Sequence, residues 1–256
     1  TYSVRVNNPN GTNYSNIPGT PSNSLSYIVN NALVLSADLA GLNLDVKTVT
    51  VSGKVTLNGA TPKVGGVCPG NPTLSTSSIQ FTEKTAGYII TLATYCNDNT
   101  FSYSGQLYPG TYSVRVNNPN GTNYSNIPGT PSNSQSYVVN DAQVLSADMA
   151  GLNLDVKTVT VSGKVTLNGA TPKVGSVCPG NPTLSTSSIQ FTEKTAGYII
   201  TLATYCNDNT FSYSGQLYPG TYTVRVNNPN GTNYSNIPGT PSNSLSYVAV
   251  AQIQIP

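Results

Sequence analysis

The stretch TYSVRVNNPNGTNYSNIPGTPSNS begins at Thr1, returns at Thr111, and appears a third time from Thr221 with Thr223 in place of serine. The period is 110 residues, too long for one turn of a solenoid and suited to a self-sufficient domain with its own core. Residues 1–110 and 111–220 differ at six positions: Leu25/Gln135, Ile28/Val138, Asn31/Asp141, Leu33/Gln143, Leu39/Met149 and Gly66/Ser176. Five of the six fall in one stretch of the unit. The 256 residues hold two periods and 36 residues more. Part of a domain is therefore left over in any phase, and the chain reads as a window on a longer array or as a subunit completed by its neighbour.

The copy from Thr48 to Lys157 carries a strand pattern. Val49, Val51, Val55 and Leu57 alternate with Thr50, Ser52, Lys54 and Thr56 and run into the turn pair Asn58-Gly59, which predicts a half-buried strand and its hairpin turn. Ile79 and Phe81 mark a second strand, residues 87–95 a third, Phe101 and Tyr103 a fourth, and Tyr112, Val114 and Val116 a fifth. Residues 62–78 and 117–134 lack periodicity and read as loops. Residues 137–139, 144–145 and 152–156 add two or three short strands, and no window shows a helical stripe. Seven or so short strands between Gly, Pro and Asn turns predict an all-β chain of tandem Ig-like or transthyretin-like β-sandwich domains in an extended array.

The domain junction follows from parity. Leu152, Leu154 and Val156 put the buried face on even positions, and Val159, Val161, Val165 and Leu167 put it on odd ones. A strand that changes its buried face leaves one core for the next. The same flip at Lys47-Thr48 gives three segments: residues 1–47, the end of a truncated repeat; 48–157, a complete repeat; and 158–256, a repeat with a divergent last strand. A two-residue junction without glycine implies a stiff array. Val4, Val6, Leu42 and Leu44 of the first segment would have an incomplete core, so 1–47 is expected to pair with another copy by strand addition. The tail SYVAVAQIQIP is either a terminus or an exchanged strand built on Val250, Ile253 and Ile255.

With eleven Lys and Arg and nine Asp and Glu in 256 residues, the chain carries far less charge than the roughly one quarter of ordinary domains. There is no basic patch for nucleic acid, and so little mutual repulsion favours association. Histidine is absent, which removes the commonest general base and metal ligand. No enzyme, metal or cofactor is expected, and no apolar window is long enough to span a membrane. Cys68 and Cys96, repeated as Cys178 and Cys206, lie 28 residues apart. Repetition favours the pairs Cys68–Cys96 and Cys178–Cys206, each stabilising its unit by about 3–4 kcal/mol, and hence an oxidising, extracellular or cell-surface setting. Zinc would need twice as many ligands per unit.

VSGKVTLNGATP at 51–62 followed by FSYSGQLYPGTYSVRV at 101–116 resembles the carboxypeptidase regulatory-like repeats, a transthyretin-like group similar to the Cna-B domains of bacterial surface proteins. The resemblance covers about half of each unit and implies a non-catalytic stalk or spacer. Cna-B-like domains often carry an isopeptide bond from Lys to Asn or Asp beside a buried acid, which the resemblance raises for this chain. Lys54 is out of phase with the buried face, however, and Glu83, although in phase with Ile79 and Phe81, stands at a strand end where exposure is the usual outcome.

Other candidates lie in loops. Asn10 and Asn13, with their copies Asn120, Asn123, Asn230 and Asn233, sit in N-glycosylation sequons. Tyr14, Tyr124 and Tyr234 are expected to be exposed and available to sugars or a neighbouring subunit, as is Tyr108; Tyr103 and Tyr112 belong to the core. Asp98, between Asn97 and Asn99, supplies too few oxygens for calcium and reads as a turn. The expected function is a structural repeat of an extracellular filament, stalk or surface fibre, a homopolymer joined by strand exchange. The alternative is a multivalent adhesin or glycan-binding array.

Overall fold

The computed structural model describes residues 1–7, 17, 19–21, 26–62, 75–97, 100–117, 129–131, 136–172, 185–207, 210–227 and 246–256. Every regular element among them is a β-strand. The chain divides into two compact units, residues 1–128 with 136–156, and residues 129–135 with 157–256.

The first unit opens with β1 (Tyr2–Asn7) and β2 (Ser26–Leu33), an antiparallel two-stranded sheet. It continues through β3 (Val49–Leu57), β4 (Ser75–Glu83), β5 (Ile89–Asn97), β6 (Thr100–Leu107), β7 (Gly110–Asn117), β8 (Ser136–Leu145) and β9 (Leu154–Val156). These seven form one sheet in the order β8-β7-β4-β5-β6-β3-β9. All neighbours are antiparallel except β3 and β9, which run parallel. Strands β8 and β9 follow each other in sequence yet occupy opposite ends of the order, so the sheet curls until residues 136–156 serve both edges.

Alternation explains the core. Val49, Val51 and Val55 of β3, Ile79 and Phe81 of β4, Phe101, Tyr103 and Leu107 of β6, and Tyr112, Val114 and Val116 of β7 are all buried, every second residue facing inward. The Asn58-Gly59 turn forms as the sequence predicts. Both residues have positive φ, 51° and 81°, as a tight hairpin turn of the I′ kind requires, and Leu57 and Ala60 close it with reciprocal backbone hydrogen bonds of 2.8 and 3.1 Å.

The second unit comprises β10 (Val159–Lys164), β11 (Ser185–Glu193), β12 (Ile199–Asn207), β13 (Thr210–Leu217), β14 (Gly220–Asn227) and β15 (Tyr247–Ile255), in the order β10-β13-β12-β11-β14-β15. The divergent tail pairs within its own chain in this structure. Ile253 faces Tyr222 and Val250 faces Val224 within its own sheet, and Ile255 is buried. The register explains this. The pairs β1–β2, β7–β8 and β14–β15 share the same two irregularities at matching positions, so the pairing follows the repeated first strand and tolerates a changed second one.

Candidate functional site

Most of the cysteines, sequons and loop tyrosines read from the sequence fall outside what the structure describes. Cys68, Cys178, Asn10, Asn13, Asn120, Asn123, Asn230, Asn233, Tyr14, Tyr124, Tyr234 and Asp98 lie outside the described residues, while Cys96 and Cys206 are placed on β5 and β12 by their backbone alone. Lys54 is exposed.

Two expectations are corrected. Glu83 is only 5% exposed. The turn after β4 folds back over it, and its Oε2 accepts hydrogen bonds from the backbone N–H of Thr85 at 2.8 Å and of Ala86. Position in a strand therefore misleads here, because the following turn supplies donors that make burial of the carboxylate tolerable. Glu193 repeats the arrangement with Thr195 and Ala196.

Tyr108, expected exposed, is buried. Its ring stacks on Tyr27 at 4.5 Å and meets Tyr88 edge-on at 5.5 Å, and its carbonyl accepts the Tyr112 hydroxyl at 2.7 Å. An aromatic neighbour from β2, distant in sequence, covers what local pattern leaves open.

Burial pushes the Tyr88 phenol up to about 12, against a lowering by its hydrogen bond with Tyr112. Burial also raises Tyr103, and burial together with Tyr88 raises Tyr112. These groups stay neutral in the folded unit while unfolded tyrosines ionise near pH 10. Their contribution is complete below pH 10 and is lost as pH climbs toward the folded-state values, at about 1.4 kcal/mol per pH unit for each such tyrosine. Urea midpoints measured from pH 8 to 11.5 should hold level to about pH 9.5 and then fall steeply; a level profile throughout would refute the assignment.

Among the described residues the edge of β3 gathers a dense set of polar contacts. Residues 148–156 lie along it, and Val51 bridges Met149 while Val55, Thr56 and Leu57 pair with Leu154, Asp155 and Val156. Backbone bonds run from Met149 N–H to Thr50 O (2.9 Å), Ser52 N–H to Met149 O (3.0 Å), Leu152 N–H to Ser52 O (2.9 Å) and Asn58 N–H to Val156 O (2.9 Å). Side chains fill the gaps: Asp148 accepts from Thr50 N–H (2.7 Å), Asn153 from Lys54 N–H (3.1 Å), and Asp155 from both the Thr56 hydroxyl and Gly59 N–H (2.8 Å each). The Tyr103 hydroxyl donates to Leu152 O. At Gly53 the segment passes so close that a Cβ would lie 1.9 Å from Leu152 O. Only glycine admits this approach.

Both partners of this edge recur elsewhere in the chain in a different state. Residues 158–167 repeat 48–57 without change, and 38–46 repeat 148–156 except for Leu39 in place of Met149. Strand β10 is an edge of its sheet and ends at Lys164, six residues long against nine for β3. Val51 is fully buried, whereas Val161 is half-buried. Residues 34–48 belong to no strand, and Val34, Leu35, Leu39, Leu42 and Leu44 are exposed. Sequence parity does not reveal that a parallel strand seals this edge.

Among the described residues no group of three or more His, Cys, Asp or Glu gathers as metal ligands would, and no helix is long and apolar enough to cross a membrane. No family model matches the sequence and no curated protein matches it. Solved structures with some similarity include a DUF3823 family protein from Parabacteroides merdae, with 13% identity, TM-score 0.31, and 71% of this chain and 90% of that one covered. A candidate adhesin from Bacteroides ovatus shows 12% identity, TM-score 0.31 and coverage of 74% and 83%. The TIE protein of Bacillus anthracis shows 14% identity and TM-score 0.26, and the match spans 81% of this chain and 32% of that one.

Proposed function

We propose that this chain is a non-enzymatic structural repeat protein of an extracellular filament, stalk or surface fibre, built from tandem β-sandwich units of the carboxypeptidase regulatory-like kind that associate with further copies of themselves. The observation that carries this reading is the coexistence, in one chain, of an exposed apolar segment at 34–44 and a sheet-edge strand, β10, whose Thr160, Ser162 and Lys164 are exposed. Exposed edges and apolar strand-like segments are surfaces on which β proteins join. Near-identical units, junctions of about two residues and sparse charge support the same reading, because they suit links of a stiff array with little mutual repulsion. The paired cysteines fit an oxidising compartment outside the cell.

The adhesin reading rests on Tyr14, Tyr124 and Tyr234, which lie outside the described residues. Electron microscopy of purified protein, beside a glycan-binding screen, separates the two. Ordered filaments without added ligand are expected; dispersed monomers that retain a glycan would overturn the structural reading in favour of the adhesin.

A further inference from the structure

We propose that residues 38–46 of one chain add as a parallel strand to the exposed edge of β10 and the residues that follow it in a second copy, with Leu44 opposite Val165, Asp45 opposite Thr166 and Val46 opposite Leu167. The inference rests on the self-association proposed above and specifies its contact.

The template is the first unit itself. There, Leu154, Asp155 and Val156 occupy this register on Val55, Thr56 and Leu57. Every side chain that recognises the edge has its counterpart in the free segment: Asp38 for Asp148, Asn43 for Asn153, Asp45 for Asp155. Every group recognised recurs as well, from Thr160 through Ser162, Lys164 and Thr166 to Asn168 and Gly169. The one difference, Leu39 for Met149, falls on a residue whose ladder hydrogen bonds are made by its backbone. Leu44 and Val46 would enter the places that Leu154 and Val156 fill in the first unit, where both are buried.

The acceptor is also shaped for it. A Cβ on Gly163 would meet only the outer end of the Tyr213 ring, its hydroxyl at 2.6 Å, where a Cβ on Gly53 meets the Leu152 carbonyl. Tyr213 is half-buried and Tyr103 fully so. The Tyr213 hydroxyl thus stands over the track of the missing strand, and a small movement lets it donate to Leu42 O as Tyr103 does to Leu152 O. We assign the partner to a second copy, since the edge of the segment's own unit is closed to it. Val46 lies three residues before Val49, inside β3, and the matching edge of that unit is already taken by β9.

Sedimentation velocity of the 256-residue chain over a wide concentration range tests this, with hydrogen exchange on β10. Reversible association is expected, with slowed exchange at Thr160, Ser162 and Lys164 on association. Gly163→Ala, which sets a methyl in the path of the Leu42 carbonyl, and Leu44→Lys, on an already exposed side chain, should each weaken association by about tenfold or more. A synthetic peptide of residues 36–47 should bind and cap the chain, and the same peptide with Leu44→Lys should not. Association that persists unchanged in both variants and with the peptide present would overturn this pairing while leaving self-assembly standing. A chain that stays monomeric at every concentration, whether or not β10 is protected, would overturn the second-copy pairing and the self-association reading together.

Discussion

Gly53→Ala is expected to destabilise the first unit by about 3 kcal/mol, whereas Gly163→Ala in the second should cost less than about 1 kcal/mol. The two glycines sit in identical ten-residue stretches, so intrinsic propensity cannot separate them. What differs is the neighbour. At Gly53 the new methyl meets backbone, the Leu152 carbonyl carbon and oxygen at 2.5 and 1.9 Å. Relief there means pushing 148–156 off the edge and breaking the ladder that holds it. At Gly163 the methyl meets the tip of a tyrosine ring, which can swing away. Urea titration of dilute protein should show one transition moved to lower denaturant in Gly53→Ala and little change in Gly163→Ala. Equal losses would mean that the closing segment does not cross Gly53.

Glu83→Ala should cost the first unit about 3 kcal/mol, and Glu193→Ala the second a similar amount. Each carboxylate accepts two backbone N–H groups of the turn that follows it, and hydrogen bonds to a charged group contribute about 1.5–3 kcal/mol each. The Cγ of Glu83 also lies 3.1 Å from where a Cβ on Gly110 would sit, so truncation opens space beneath the β6–β7 turn. Glu83→Gln, which keeps the shape and one acceptor, should fall between wild type and alanine. Lys84→Ala makes a fitting control: its ion pair with Asp141 spans 3.0 Å between exposed side chains, and such pairs contribute little. Thermal melts that rank the lysine variant below the glutamate variant would refute the anchoring role of Glu83.

Much of the fold was legible. Alternation in 49–57, 79–81, 101–103 and 112–116 marks strands because one face of each meets the core, and Asn58-Gly59 marks its turn because positive φ favours those two residues. The misreadings share a cause. Glu83 is buried by donors from the next turn and Tyr108 by a ring from β2, and neither neighbour leaves a trace in local periodicity. The tail at 247–255 changed its apolar pattern yet kept its pairing, because the repeated β14 sets the register.

The repeats make the division between local and non-local causes unusually clean. TVTVSGKVTL occurs at 48–57 and at 158–167; the first copy is a strand through Leu57, the second only through Lys164. Residues 148–156 close a sheet edge, and the near-identical 38–46 lie in no strand. Sequence alone determined the period, the alternation, the turn chemistry and the all-β class, since these follow from the conformations each residue tolerates and the face it presents. Only tertiary structure decided which copy became a strand, because a β-strand completes its backbone hydrogen bonds on a partner elsewhere in the chain, and identical segments met different partners.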